Sequence, residues 1–254
     1  MILHRIVQHF RKQEWPAIFI EFVIVVFGVF LGMQVNNWGT IRAERASELA
    51  FLEAVSDDLR QEADNMRGYI ATLNDVSRWG ARVGKTLDAQ PPCDGDCWQR
   101  LVDFFLASQW VNVKADRATY DEIRRTGLPR DRALKAELTR YYGLNEQVMV
   151  IFTELPEFRQ IVRSIIPANV QDHLWGRCFR AKGRQQYFDE NCVASISENE
   201  ARVVIQMLRT YPETRSSLNY WLSTVSVVKM TLETQVVEAE KTITILDSYI
   251  KNHK

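Results

Sequence analysis

This chain has no excess of basic charge. Lys+Arg and Asp+Glu both number 32, and the formal net charge is zero. A nucleic-acid binder carries a basic excess or a basic face, so nucleic acid is set aside as a partner. Proline and glycine are scarce, seven and eleven in 254 residues, and no low-complexity tract interrupts the chain. That excludes collagen-like and linker-dominated proteins and leaves most of the chain free to be helix. Histidine is sparse too. His4, His9, His173 and His253 are scattered, and H-E-x-x-H is absent. There is no G-x-S-x-G, no P-loop and no dinucleotide glycine fingerprint. Asp57-Asp58 and Asp121-Glu122 are adjacent pairs, which do not face each other on a helix. His173, beside Trp175, reads as structural. These absences leave no catalytic residue, no metal and no cofactor to assign, and the expectation is a protein that is not an enzyme.

What is present begins at residue 21 with EFVIVVFGVFLGMQVNNW. Ala17 to Val35 is about 19 residues, and a helix of that length at ~1.5 Å per residue just spans a hydrocarbon core of roughly 30 Å. Glu21 and Gln34 are its only strongly polar residues. Trp15 and Trp38 bracket it as interfacial aromatics do, and Pro16 suits the first turn of a helix. A cleaved signal peptide would have a shorter apolar region followed by an A-x-A-like site. Here a charged helical pattern follows instead. Arg5, Arg11 and Lys12 precede the run, whereas Arg42 and Arg45 follow it mixed with Glu44 and Glu48. The positive-inside rule then gives a cytoplasmic tail over 1–14, a transmembrane helix over 15–38 and a periplasmic domain over 39–254, anchored in a bacterial inner membrane.

At 100° per residue, Glu21, Val25, Gly28, Gly32 and Asn36 fall on one stripe. Gly28-x-x-x-Gly32 is the small-xxx-small pattern that lets two helices approach closely. An ionisable group in a membrane helix marks a functional site by default, although Glu21 is also shallow enough to reach the headgroups. The stripe reads as a packing face toward a second copy or another integral membrane protein.

The stretch from Glu21 to Trp38, with its Gln-x-Asn-Asn-Trp ending, resembles the signature of a family of bacterial single-pass membrane proteins known only as a domain of unknown function. The block Thr119-Tyr120-Asp121-Glu122-Ile123-Arg124-Arg125-Thr126-Gly127, followed by Leu138-x-x-Tyr141-Tyr142, is similar to a second block of that family. Gly39 after the tryptophan, and the cysteine-bounded segment 178–192, depart from its pattern. The resemblance implies an anchored helical protein and brings no activity with it.

Two heptad seams run beyond the anchor. Leu52, Val55, Leu59, Glu62, Met66, Tyr69, Leu73, Val76, Gly80, Val83 and Leu87 alternate by three and four, and Gln90-Pro91-Pro92 ends the pattern. Leu218, Leu222, Val225, Lys229, Leu232, Val236, Ala239, Ile243, Leu246 and Ile250 form the second. Shorter helices are expected over Trp98–Gln109, Asp116–Arg125, Asp131 to about 151, Leu155–Ile166 and from Ser197 to about Thr210, with room for a hairpin over 178–192. The expected fold is all-α: one transmembrane helix leading into a helical bundle whose long first and last helices are antiparallel. The aromatic group Trp98, Phe104, Phe105 and Trp110 reads as core. Tyr120, Arg124 and Arg125 are candidate anion or ligand contacts. Two functions fit: an anchored scaffold, assembly factor or accessory subunit, or a ligand-sensing module that signals through a membrane partner.

Four cysteines fall in two local pairs, Cys93 with Cys97 and Cys178 with Cys192. Even, local pairing fits disulfides in an oxidising compartment better than zinc, for which C-x3-C spacing and a lone His173 are a poor set. Closing the loop of about 15 residues from 178 to 192 would be worth roughly 3 kcal/mol in the chain-entropy model. Intact mass after alkylation checks the pairing. Four labels should appear only after reduction; four labels without reductant would refute it.

Overall fold

The structure is a computed structural model and describes residues 15–111, 113, 117–149, 155–182, 185–189 and 191–254. The basic tail 1–14, with His4 and His9, lies outside the described residues, as do Asp116 and residues 150–151 at expected helix ends. Some 81% of the described residues are helical, with eight α-helices among them, which agrees with the composition reading. The chain divides into two compact units, one ending at Phe51 and one from Leu52 to Lys254.

Helix α1 runs over Trp15–Asp88. Its first part, through Ile41, is an exposed apolar surface: Phe22, Phe27, Phe30 and Trp38 are each more than half exposed. Among the described residues it is the one helix long and apolar enough to cross a membrane, and none of its apolar window is buried. From Leu52 onward the heptad seam is inside. Leu52, Val55, Leu59, Met66, Leu73, Val76 and Val83 are all 0–1% exposed, and of the expected seam only Leu87 is more than slightly exposed.

Helix α2 spans Cys97–Ala107, α3 Ala118–Arg125, α4 Arg132–Met149, α5 Glu157–Ile165 and α6 Ala168–His173. A π-turn over Leu174–Cys178 leads into strands β1, Phe179–Lys182, and β2, Gln185–Phe188. They form an antiparallel hairpin with Phe179 opposite Phe188. Helices α7, Glu198–Thr210, and α8, Thr214–His253, complete the chain. Local chemistry explains several of these boundaries. Ser197 and Glu200 form a capping box: the Ser197 hydroxyl accepts from the Glu200 amide at 3.3 Å, and the Glu200 carboxylate accepts from the Ser197 amide at 2.8 Å. Just beyond α3 and its C-cap Thr126 sits Gly127, whose φ of 82° favours glycine. The Leu128 amide there bonds back to the Ile123 carbonyl at 3.2 Å, the Schellman pattern.

Between α1 and α8 the contacts run in opposite sequence sense. Lys254 pairs with Glu53 at 2.5 Å, Arg60 with Asp247 at 2.6 Å, Arg67 with Glu240, and Arg215 with Asp88. These pairs are largely solvated and set register more than stability. The seam beneath them does the packing. At Gly80 an added Cβ would stand 3.1 Å from Leu222 Cδ1 and nearer still to Cδ2. The glycine in an otherwise apolar heptad is therefore a hole that Leu222 fills.

Gly80→Val should lower stability by about 1–3 kcal/mol through overpacking. Gly84→Ala, whose nearest neighbour is Arg215 Nη1 at 3.6 Å, should be neutral or stabilising by up to ~1 kcal/mol, since helical glycine is unfavourable. Thermal unfolding of the detergent-solubilised chain compares them. Equal melting points would remove the close-packing account of Gly80.

Candidate functional site

Glu21, Gly28, Gly32 and Asn36 all lie on the apolar part of α1, and all are exposed. A Cβ added at Gly28 or Gly32 would meet nothing within 4 Å. The stripe therefore presents open backbone along one helix face. Next to it the Thr40 hydroxyl donates to the Asn36 carbonyl at 3.0 Å, and the Arg42 guanidinium lies 5.7 Å from the centre of the Trp38 ring.

Tyr120, Arg124 and Arg125 share helix α3 but not a pocket wall. Tyr120 is buried, its ring stacked on Tyr142 at 4.1 Å and its hydroxyl 3.2 Å from Thr139 Oγ1. Arg124 and Arg125 are exposed. Nearby, the Tyr141 hydroxyl donates to the buried Glu62 at 3.2 Å, which explains a carboxylate at a seam position. Burial, and then the Glu62 charge, push the Tyr141 pKa up. Glu137 is held below its usual carboxylate range by Arg140 and then, against the opposing effect of burial, by Thr242. Arg140 also reaches Glu238 at 2.6 Å, tying α4 to α8.

The densest polar chemistry surrounds helix α2. The sequence pattern expects one apolar face, with Leu101, Val102, Phe105 and Leu106. Instead every residue from Leu101 to Ala107 is buried, including Asp103 at 1% exposure. A helix buried all round must still satisfy its terminal amides and carbonyls. At its N-terminus the Cys97 and Trp98 amides donate to the two carboxylate oxygens of Glu198 at 2.6 and 3.1 Å. At its C-terminus Arg163 donates to the Phe105 carbonyl at 3.0 Å and to Ser108 Oγ at 2.9 Å. Arg159 donates to the Ser108 carbonyl at 2.8 Å, and the Trp221 indole to the Ala107 carbonyl at 2.8 Å. Negative charge at the amide end and positive charge at the carbonyl end complement the helix dipole. Arg82 clamps Asp103 from α1 with contacts of 2.6–3.0 Å.

Burial, and then the charge of Arg159, push the Arg163 pKa down to about 8. Because a guanidinium keeps its proton in proteins, the shift expresses the penalty of burying the cation. The carbonyls offset that penalty, as do the Phe105 face at 3.4 Å and the Trp175 ring at 5.1 Å. None of Asp103, Glu198, Arg159 or Arg163 stood out in the sequence. Each sits among other charges on a helix of 9–13 residues, without a local motif to mark it.

The two cysteine pairs are bonded, Cys93 to Cys97 and Cys178 to Cys192, with Cα separations of 5.0 and 5.5 Å. The first joins the α1–α2 loop to the start of α2. The second closes the base of the hairpin, whose Gln186 amide docks on Thr72 Oγ1 of α1 at 3.1 Å. His173 Nε2 lies 2.8 Å from the Val193 carbonyl and 3.9 Å from Cys192 Sγ. The Trp98 indole donates to the Cys192 carbonyl at 2.9 Å.

Asp103→Leu alone should cost about 3 kcal/mol, because Arg82 loses this carboxylate in a largely buried place. Adding Arg82→Met should recover most of that loss. Thermal unfolding of the two single variants and the double variant measures the coupling, and strictly additive losses would contradict it. Comparison with protein-family models, with curated proteins and with solved structures finds no match.

Proposed function

We propose that this protein is a single-pass, membrane-anchored helical scaffold, assembly factor or accessory subunit without enzymatic activity. Its N-terminal tail would be cytoplasmic, and residues 39–254 would form a periplasmic bundle with antiparallel first and last helices. The observation that carries this reading is the exposed apolar part of α1, with its one-sided stripe of Glu21, Gly28, Gly32 and Asn36. A surface this apolar needs lipid or protein around it. Lipid tails are as apolar as valine, so association within a bilayer relies on close backbone approach or polar pairing, and the stripe offers both. The partner is therefore a second copy of this chain or another integral membrane protein.

A second observation favours a protein-binding role over ligand sensing. On α8, Tyr220, Val227, Met230 and Val237 are each at least 46% exposed and recur at heptad-like intervals along one side. Arg124 and Arg125 point to solvent while Tyr120 is buried, so the candidate anion contacts do not converge. The sequence resemblance over Glu21–Trp38 agrees with an anchored helical protein.

Isoleucine at both Gly28 and Gly32 should hold neighbouring backbones apart while leaving membrane insertion intact. Cross-linking in membranes and co-purification in mild detergent are expected to lose their specific species in this variant. Glu21→Gln tests the charge separately. Unchanged cross-links and co-purifying proteins in the double isoleucine variant would make the stripe a lipid-facing surface and sink the proposal.

A further inference from the structure

We propose that His173, Cys178 and Cys192, once the Cys178–Cys192 bond is reduced, form a binding site for a thiolate-preferring cation of the Zn2+ type. Considered along the chain, these residues are a poor ligand set. The fold changes that. The two sulfurs are joined in the disulfide, and a ring nitrogen of His173 lies within 4.8 Å of both. Zn–S bonds of about 2.3 Å and Zn–N bonds of about 2.0–2.1 Å place tetrahedral ligands roughly 3.4–3.8 Å apart. His173 Nε2 and Cys192 Sγ are already 3.9 Å apart. Opening the disulfide lets the two sulfurs move to a similar separation without moving the backbone far.

The π-turn over Leu174–Cys178 is what brings the histidine to the sulfurs. On an α-helix, residues five apart lie on different faces. A π-turn closes over five residues, which returns Cys178 to the side of His173. Such turns concentrate at functional sites. The surroundings suit a neutral complex. Cys178 and Cys192 are 1% and 8% exposed, and the Trp98 ring sits edge-on to His173 at 6.1 Å. Two thiolates and a neutral imidazole around a divalent cation carry no net charge, so burial costs little. Three protein ligands leave a fourth tetrahedral position for water.

The chemistry balances. A dithiol reductant gives two electrons and two protons to the Cys178–Cys192 bond and becomes a disulfide itself. Zn2+ then displaces the two thiol protons, which pass to solvent. The imidazole proton moves from Nε2 to Nδ1, releasing the contact with the Val193 carbonyl. In the oxidising compartment proposed above the bond is closed and the site holds no metal until a dithiol-exchange partner reduces it; reoxidation closes the bond and expels the metal.

The test uses the full chain in detergent, with Cys93→Ser and Cys97→Ser removing the other pair. After anaerobic reduction it is titrated with Zn2+ against a chromogenic chelator and, in parallel, with Co2+. One equivalent should bind with a Kd below about 1 µM. Co2+ should give a thiolate charge-transfer band and the intense visible bands of tetrahedral coordination. His173→Ala should weaken binding at least ~10-fold, and the oxidised chain should bind none. Failure to compete with the chelator overturns the proposal, and so does undiminished affinity in His173→Ala. Helical circular dichroism is recorded throughout. Loss of fold on reduction that Zn2+ does not restore also overturns it.

Discussion

A buried helix must have its ends satisfied, and the arrangement of this domain follows from that requirement around α2. Every residue from Leu101 to Ala107 is buried and the first turn of the helix is half-buried at Gln99 and Arg100, so water has little access to its terminal carbonyls and only partial access to its amide end. Each unpaired group would cost about 1–3 kcal/mol. Glu198 from α7 answers the amide end, and Arg159 and Arg163 from α5 answer the carbonyl end. Arg82 from α1 answers Asp103 midway. Three separate elements are thereby fixed around one helix by charges of the sign its dipole favours. The first disulfide reinforces the same helix at Cys97. The second holds the hairpin so that Phe188 reaches within 6.2 Å of the Phe105 ring.

The first compact unit is governed by the opposite condition. Along the apolar part of α1 nothing is buried, and the glycines face open space. In the domain, glycine at a seam position means a neighbour pressing in, as Leu222 does on Gly80. In the apolar part of α1, Gly28 and Gly32 at the same helical spacing meet nothing within 4 Å among the described residues. The same backbone chemistry thus serves internal packing in one unit and leaves an unfilled face in the other.

Periodicity made the long helices legible. Ten of the eleven positions expected on the first seam are buried, and so are Leu218, Val225, Leu232, Val236, Ala239, Leu246 and Ile250 on the second. The helix bounds at Arg125 and Ser197 and the cysteine pairing were equally readable, because each follows from a local signal. The hairpin was anticipated only as a place for one. Helix α2 was read as carrying one apolar face, Leu101, Val102, Phe105 and Leu106, although Asp103 is buried with them. Its burial depends on Arg82, 21 positions away, and no local pattern announces such a partner. The convergence of His173 on Cys178 was illegible for a related reason. It needs a π-turn, and helical-wheel reasoning assumes 3.6 residues per turn.

Membrane anchoring with the domain outside the cytoplasm is the claim on which the functional reading stands. Alkaline extraction of membranes, combined with paired reporters fused after Lys254, tests it directly. The account expects the chain to stay in the membrane pellet, with activity only from the reporter that works outside the cytoplasm. Release into the soluble fraction, or activity from the cytoplasm-only reporter, would contradict it.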